Sequence, residues 1–133
     1  MAFYRTREGA ITAADSFTAL TSLYGQSTTA SVQVPAGAGQ IVGIIASIST
    51  DSATNGAATF AMQLSGDGLS SGQETMTIGS QGVDGTPASN GMTNSPFALD
   101  VSIPVVGSNQ VSVAVAMDTD VGSAQASVTL VFQ

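Results

Sequence analysis

The sequence predicts an all-β protein that folds as a single antiparallel sandwich or barrel of about seven to eight strands. Apolar and polar residues alternate in short segments along the whole chain, and clusters of Gly, Ser, Asn, Asp and Pro separate these segments. No segment of helix length has a convincing helical period. The 133 residues are enough for one domain with a two-layer core.

The most apolar stretch is residues 40–50, with the sequence QIVGIIASIST. Its β-branched side chains favour a strand because they are stiff at χ1 and fit a pleated surface. Apolar residues are nearly contiguous at its start and alternate with serine at its end. This pattern predicts a central strand that is buried on both faces where it begins and on one face where it ends.

Alternation predicts six further strands, at residues 30–34, 57–64, 73–78, 97–105, 110–117 and 124–132. Residues 16–24 fit either helical spacing or a short strand, and a strand over 16–20 is preferred because of its all-β context. The polar turn that ends with Asn55 and Gly56 favours a long hairpin over residues 41–64, since this residue pair accepts positive φ.

The longest connection between predicted strands spans residues 79–96. Connections longer than about 12–15 residues are usually functional or disordered. Val83 and Met92 are the large apolar residues of this connection. We therefore expect Val83 and Met92 to pin the loop against a neighbouring subunit.

Residues 1–15 form an N-terminal segment that differs from the rest of the chain. Phe3 and Tyr4 stand beside Arg5 and Arg7, which are the only two basic residues. This combination predicts an arm that reaches a neighbouring subunit, whose surface should be acidic like the rest of the chain. The alternative is an extra edge strand of the chain's own sheet, with Phe3 in the core.

Charged residues make up only 8% of the chain, against about 25% in an ordinary globular protein. There is no lysine, and the net charge is −7. Charges are depleted at the centres of subunit interfaces, whereas a free monomer stays soluble through a charged surface. The composition therefore favours a subunit of an assembly, and the alternative is an acidic, secreted domain that works alone.

The acidic balance argues against nucleic acid as the main partner, because phosphate contacts need Lys and Arg. It equally disfavours an anionic membrane surface, and no stretch of about 18 apolar residues predicts membrane insertion. Residues 1–8 lack the apolar core of a signal peptide, so we expect synthesis in the cytoplasm without export.

The chain lacks His, Cys and Lys, so no ordinary base is available to activate its serines for nucleophilic catalysis. A glycosidase needs two carboxylates beside a sugar cleft. Glu74 is the only Glu beyond the N-terminal segment, and there is no Trp to stack on a sugar ring. We therefore expect no enzymatic activity and predict no catalytic residue.

Calcium binding is the remaining chemical hypothesis, and no other cofactor is expected. Asp118 and Asp120 lie in one predicted turn. Loop carboxylates with backbone carbonyls can supply the roughly six to eight oxygens that calcium takes. The alternative is that these side chains cap the backbone of the turn, as Asp ordinarily does.

The N-terminal segment, the strand spacing across residues 16–133 and alternating strands such as 110–117 give the chain the character of a virion protein. It resembles the small single jelly-roll capsid proteins and β-sandwich decoration proteins of bacterial and archaeal viruses. The resemblance implies a jelly-roll-like sandwich over 16–133 preceded by an arm at 1–15. The chain departs from those capsid proteins whose strongly basic arms touch the genome, which implies contacts with subunits instead of nucleic acid.

Our first hypothesis is a structural virion subunit, either a capsid or a capsid-decoration protein, that assembles with copies of itself and other virion proteins. The arm would lock onto an adjacent subunit through aromatic and Arg side chains, which commonly carry interface energy. One alternative is a monomeric carbohydrate-binding or adhesin-like β-sandwich module, with calcium at its Asp-rich turns. Another is a subunit of an extracellular filament built by strand exchange.

Overall fold

The structure is a computed structural model that describes residues 1–11, 13–23, 26–27, 31–51, 56–83, 97–119 and 123–133. The described residues form strands, turns and loops and include no helix. These residues contain eleven strands. The strands are β1 (Phe3–Ile11), β2 (Thr18–Ala19), β3 (Ser22–Leu23), β4 (Gln26–Ser27), β5 (Ser31–Gln33), β6 (Gln40–Asp51), β7 (Gly56–Ser65), β8 (Gln73–Val83), β9 (Phe97–Pro104), β10 (Gln110–Met117) and β11 (Ser123–Phe132). The predicted all-β fold is confirmed.

The strands form two sheets, and the strands within each sheet pair antiparallel. The larger sheet has six strands in the order β4-β3-β1-β11-β6-β9. The smaller sheet has five: β2 and β5 both lie along β10, which is followed by β7 and β8. The inner faces of the two sheets pack together around one core, so the fold is a β-sandwich.

The topology is that of a chain folded in half between β7 and β8. The strands of the first half pair with those of the second half in reverse order: β1 with β11, β2 and β5 with β10, β6 with β9, and β7 with β8. β11 also pairs with β6, and β10 also pairs with β7, so these strand pairs are joined into two sheets. This is the double Greek-key arrangement of a jelly roll, and the predicted jelly-roll-like sandwich is confirmed.

The predicted hairpin over residues 41–64 is wrong. β6 belongs to the larger sheet and β7 to the smaller one, so the connection between them crosses from one sheet to the other. Each strand has an inward apolar face, and β6 finds its neighbours in β9 and β11 while β7 finds them in β8 and β10. An Asn-Gly turn signal does not distinguish a turn within a sheet from a crossing between sheets.

The core consists of the inward-facing residues of the strands in both sheets, which are every second residue along most of each strand. Its largest fully buried side chains are Ile11, Leu20, Ile41, Ile44, Ile48, Phe60, Met62, Leu64, Ile78, Met117, Leu130 and Phe132. Complete burial of such a side chain contributes about 1.5–3 kcal/mol to folding. The alternation that identified the strands in the sequence is therefore the pattern that builds this core.

A β-bulge at Val42 shifts the register between β6 and β11. Because of this extra residue, Ile41 and Ile44 both point into the core although they are three positions apart, and both are fully buried. Val42 and Ile45 are half-buried. The prediction that this strand begins buried on both faces is therefore corrected to one buried face and one half-buried outer face.

The N-terminal residues are part of the sheet. All nine residues of β1 pair with β11, from Phe3 opposite Phe132 to Ile11 opposite Ala124. On its other side β1 pairs with β3 at a single position. This is the alternative of a strand in the chain's own sheet, and it corrects the expectation of a separate arm over residues 1–15, because β1 covers part of the core.

Candidate interaction surfaces

The side chains of β1 point alternately into and out of the sandwich. Arg5 and Arg7 pair with Leu130 and Val128, which are buried, so both arginines lie on the inner side of the larger sheet. Tyr4 lies on the outer side with 61% of its surface exposed. The four predicted arm residues, Phe3, Tyr4, Arg5 and Arg7, therefore face two different directions.

The two guanidinium groups make different contacts. Arg7 donates from Nη1 to the carbonyl oxygen of Thr6 over 2.8 Å and from Nη2 to that of Ser31 over 3.0 Å. Arg5 donates from Nη1 to the carbonyl oxygen of Tyr4 over 3.1 Å. Burial, and secondarily the positive charge of Arg5, hold the pKa of Arg7 below its ordinary value. Arg7 thus bridges the two sheets, while Arg5 lies nearer to solvent.

Phe3 and Arg5 line a cleft of about 490 Å³ between the sheets. Its other wall is the segment at residues 33–37 together with Ser108. Charges that point inward at the side of a sandwich oppose the addition of a further strand there. The structure therefore gives Arg5 and Arg7 a role in closing this side of the sandwich, in addition to the predicted role in subunit contact.

The structure describes one of the two predicted loop residues, Val83. Val83 is the last residue of β8 and pairs with Gly56 of β7, so the predicted strand at 73–78 is longer than expected. Met92 lies outside the described residues. Contact of Val83 and Met92 with a neighbouring subunit stays a prediction.

The carboxylate of Asp118 accepts a hydrogen bond from the backbone of Thr59 in β7. Its Oδ1 accepts a hydrogen bond from the Thr59 amide over 2.8 Å, and the Asp118 amide donates to the Thr59 carbonyl over 3.0 Å. Asp120 lies outside the described residues, and no group of three His, Cys, Asp or Glu side chains suited to a metal occurs in the described part of the chain. The Asp118 carboxylate thus binds the backbone of β7 instead of the backbone of its own turn, and calcium binding stays a prediction.

A mainly apolar cleft of about 310 Å³ lies beside this cap, between Asp15 and Asp118. Phe17, Ala61 and Ala116 line it. Phe17 is 39% exposed and is one of few large apolar side chains that reach the surface of the described residues. The cleft lies at the margin of the outer surface of the smaller sheet, whose described strand residues are uncharged.

That outer surface, named the neutral face here, was missed by the sequence reasoning. It carries no charged side chain among the described strand residues, which are Ala19, Ser31, Gln33, Thr59, Ala61, Gln63, Ser65, Gln73, Thr75, Thr77, Gln110, Ser112, Ala114 and Ala116. The signal was present in the sequence as Ser, Thr, Gln and Ala at the outward positions of alternating strands. Assigning those positions to one surface required the strand order.

The outer face of the larger sheet is also rich in hydroxyl groups. The Oγ1 atoms of Thr6 and Thr129 lie 2.8 Å apart across β1 and β11. A shallow hollow of about 210 Å³ is lined by Ser47, Ser49 and Ser127, with Glu8 at its margin. This face differs from the neutral face because it carries the carboxylates of Glu8 and Asp100.

The described residues include no helix that is both long and apolar enough to span a membrane.

Comparison with known proteins gives a likeness of fold. No protein-family model matches the chain, and no curated protein matches it. A solved structure of infectious bursal disease virus, Gx strain, contains a chain that is similar to this one with a TM-score of 0.50 and 11% sequence identity. The alignment covers 99% of this chain and 31% of that chain, so this chain spans about a third of its length. The jelly-roll sandwich is thus a fold that also occurs in a virus particle.

Proposed function

We propose that the chain is a structural subunit of a virion, a capsid or capsid-decoration protein that acts by binding further copies of itself and other virion proteins. The observation that carries the proposal is the neutral face. A sheet face whose described strand residues are all uncharged, on a chain of net charge −7, is poorly suited to permanent contact with water. It is well suited to burial against another subunit, since interface centres are depleted of charge.

The fold supports the same function. The sandwich has the jelly-roll topology, and nearly the whole chain aligns with part of a chain from a virus structure. That likeness is one of fold, so the role in assembly rests on the surface of this chain. The proposal places the protein in the virion and involves no enzymatic step and no cofactor.

Direct contact with nucleic acid is not part of the proposal. Arg5 and Arg7 are the only basic side chains, and both lie on the inner side of the larger sheet. Arg7 already donates to the backbone of Thr6 and Ser31. Phosphate binding scales with the number of accessible cations, so this surface offers nucleic acid little.

The proposal is tested by the mass of the purified protein in solution, measured by sedimentation velocity and light scattering. We expect concentration-dependent association into assemblies larger than a monomer. Gln63→Lys places a charge in the middle of the neutral face and should reduce this association without lowering the melting temperature. Ser70→Lys, in the exposed turn after β7, is the matched control and should associate like the wild type.

A protein that stays monomeric at every concentration would contradict self-assembly. If calcium then raised its melting temperature, the monomeric binding module would replace the virion subunit as the working hypothesis.

A further inference from the structure

Two of the clefts described above lie at opposite ends of β10. The cleft of about 490 Å³, named the Arg5 cleft here, includes Gln33, which pairs with the first residue of β10. The cleft of about 310 Å³, named the Asp15 cleft, includes Met117, the last residue of β10. β10 has 8 residues, which span roughly 23 Å at about 3.3 Å per residue. The two clefts therefore cannot contact each other within one copy, whereas the clefts of two copies can.

The Arg5 cleft combines a positive charge with apolar surface. Phe3 and Pro35 line it together with Arg5. Among the described residues, the guanidinium of Arg5 donates to the Tyr4 carbonyl over 3.1 Å and is paired with no carboxylate. A guanidinium has several N–H donors in a planar fork, and a carboxylate is an acceptor that matches this geometry. The cleft therefore suits a group that presents a carboxylate next to an apolar ring.

The Asp15 cleft presents that combination. The Asp15 amide donates to the Met117 carbonyl over 2.8 Å, which holds the backbone that carries the carboxylate. Phe17, two residues later, is 39% exposed. Asp118 adds a second carboxylate, of which Oδ1 accepts from the Thr59 amide. None of the described residues that line this cleft is basic, so no cation within it offsets the two carboxylates.

We propose that copies of the chain bind head to tail, with the Asp15 cleft of one copy against the Arg5 cleft of the next. The Asp15 carboxylate accepts hydrogen bonds from the Arg5 guanidinium, and the Phe17 ring packs beside this pair against Phe3. The inference rests on the proposed function and names one subunit contact within it. A copy bound through one cleft retains the other for a further copy, so the contact extends an assembly or closes it into a ring.

A second copy is the partner that the charges favour. The chain has 9 acidic and 2 basic residues, so most contacts between copies bring like charges near each other. A contact that sets Arg5 against a carboxylate avoids this repulsion and fixes which ends of two copies meet. Aromatic and Arg side chains also carry much of the binding energy at interfaces. A small anionic ligand needs only Arg5, whereas this contact needs Arg5 and Asp15 together.

The test is sedimentation velocity of the full chain across micromolar concentrations, with the two charges reversed. Arg5→Glu alone and Asp15→Lys alone each bring like charges together, so each should raise the Kd of association by about tenfold or more. The double variant, Arg5→Glu with Asp15→Lys, restores an opposite pair and should associate with a Kd close to that of the wild type. Asp100→Lys makes the same change of charge on the outer face of the larger sheet and should associate like the wild type.

Neutral variants keep the test decisive where a reversed charge disturbs folding. Arg5→Gln and Asp15→Asn each remove the ion pair without adding repulsion, and Asn accepts the positive φ of 56° at position 15. Each should weaken association by a smaller factor than the corresponding reversal, while the melting temperature stays close to that of the wild type.

Recovery in the double variant is specific to a contact between residue 5 of one copy and residue 15 of another. The contact is overturned, while self-assembly stands, if the reversals leave association unchanged or if the double variant associates no better than the single ones. A wild type that forms only a dimer overturns the head-to-tail arrangement. If the wild type does not associate at any concentration, the contact and the self-assembly on which it rests are both overturned.

Discussion

The guanidinium of Arg7 donates a hydrogen bond from Nη2 to the carbonyl oxygen of Ser31 over 3.0 Å. Arg7 belongs to β1 of the larger sheet and Ser31 begins β5 of the smaller sheet, so this bond joins the two layers. The side chain of Arg7 is half-buried, and its carbonyl partner is a strand residue. A residue that the sequence assigns to contact between subunits is therefore also a link within one subunit.

We expect Arg7→Gln to lower the free energy of unfolding by about 1–2 kcal/mol, because a partly buried hydrogen bond from a charged donor to the Ser31 carbonyl is lost. Urea denaturation followed by circular dichroism measures this change. Arg5→Gln is the matched control. Among the described residues, Arg5 donates to the adjacent Tyr4 carbonyl near solvent, so its replacement should change stability by no more than about 0.5 kcal/mol. Equal effects of the two substitutions would contradict the link between the sheets.

Deletion of residues 2–8 is expected to abolish cooperative folding. The deletion removes the positions of β1 that pair with β11 from Phe132 to Ser127 and uncovers the inner face of that strand. Far-ultraviolet circular dichroism and thermal melting distinguish this outcome from an intact fold. An N-terminal arm that only contacts a neighbour would predict the reverse: a truncated chain that melts like the full one and fails only to assemble.

Ile44 and Ile45 are adjacent residues of β6 that face opposite sides of the larger sheet. Ile44→Ala should cost about 2–5 kcal/mol of stability, because the side chain is fully buried and its removal leaves a cavity. Ile45→Ala should cost about 1 kcal/mol, because its side chain is half-buried on the outer face and water can fill the space. Chemical denaturation of the two variants measures the difference, and a larger loss for Ile45→Ala would contradict the observed register.

Asp118 provides a prediction that separates a backbone cap from a calcium ligand. Asp118→Ala removes the acceptor of the Thr59 amide and should lower stability by about 1 kcal/mol, whereas Asp118→Asn keeps an acceptor oxygen and should stay within about 0.5 kcal/mol of the wild type. Thermal melting with and without calcium measures both effects. A calcium-dependent increase in the melting temperature that disappears in Asp118→Asn would instead support the metal site.

Strand positions were predictable from the sequence because each strand has one face in the core. In β10, for example, Val111, Val113 and Val115 occupy every second position, and all three are buried. The assignment of strands to sheets was not predictable, because β6 and β7 have the same apolar alternation whether they pair with each other or face each other across the core. That ambiguity produced the incorrect hairpin.

The interaction surfaces were less predictable than the fold, because a surface combines residues that are distant in the sequence. The cations of β1 suggested an arm that reaches a neighbouring subunit, but the register opposite β11 turns Arg5 and Arg7 inward. The neutral face required the order of β10, β7 and β8 before its uncharged residues could be placed side by side. The role of Asp118 required the position of Thr59, which is distant in the sequence and adjacent in the fold.

The pairing of β1 with β11 also constrains how the protein is made. Phe3 pairs with Phe132, which leaves the ribosome long after it. Contacts between such distant positions close slowly, because the entropy of a long loop is lost before the contact forms. During synthesis, β1 and β6 therefore wait with unpaired edges until β11 emerges between them. Newly made chains at high local concentration can pair with each other through those edges, so the yield of correctly folded protein should fall as the rate of expression rises.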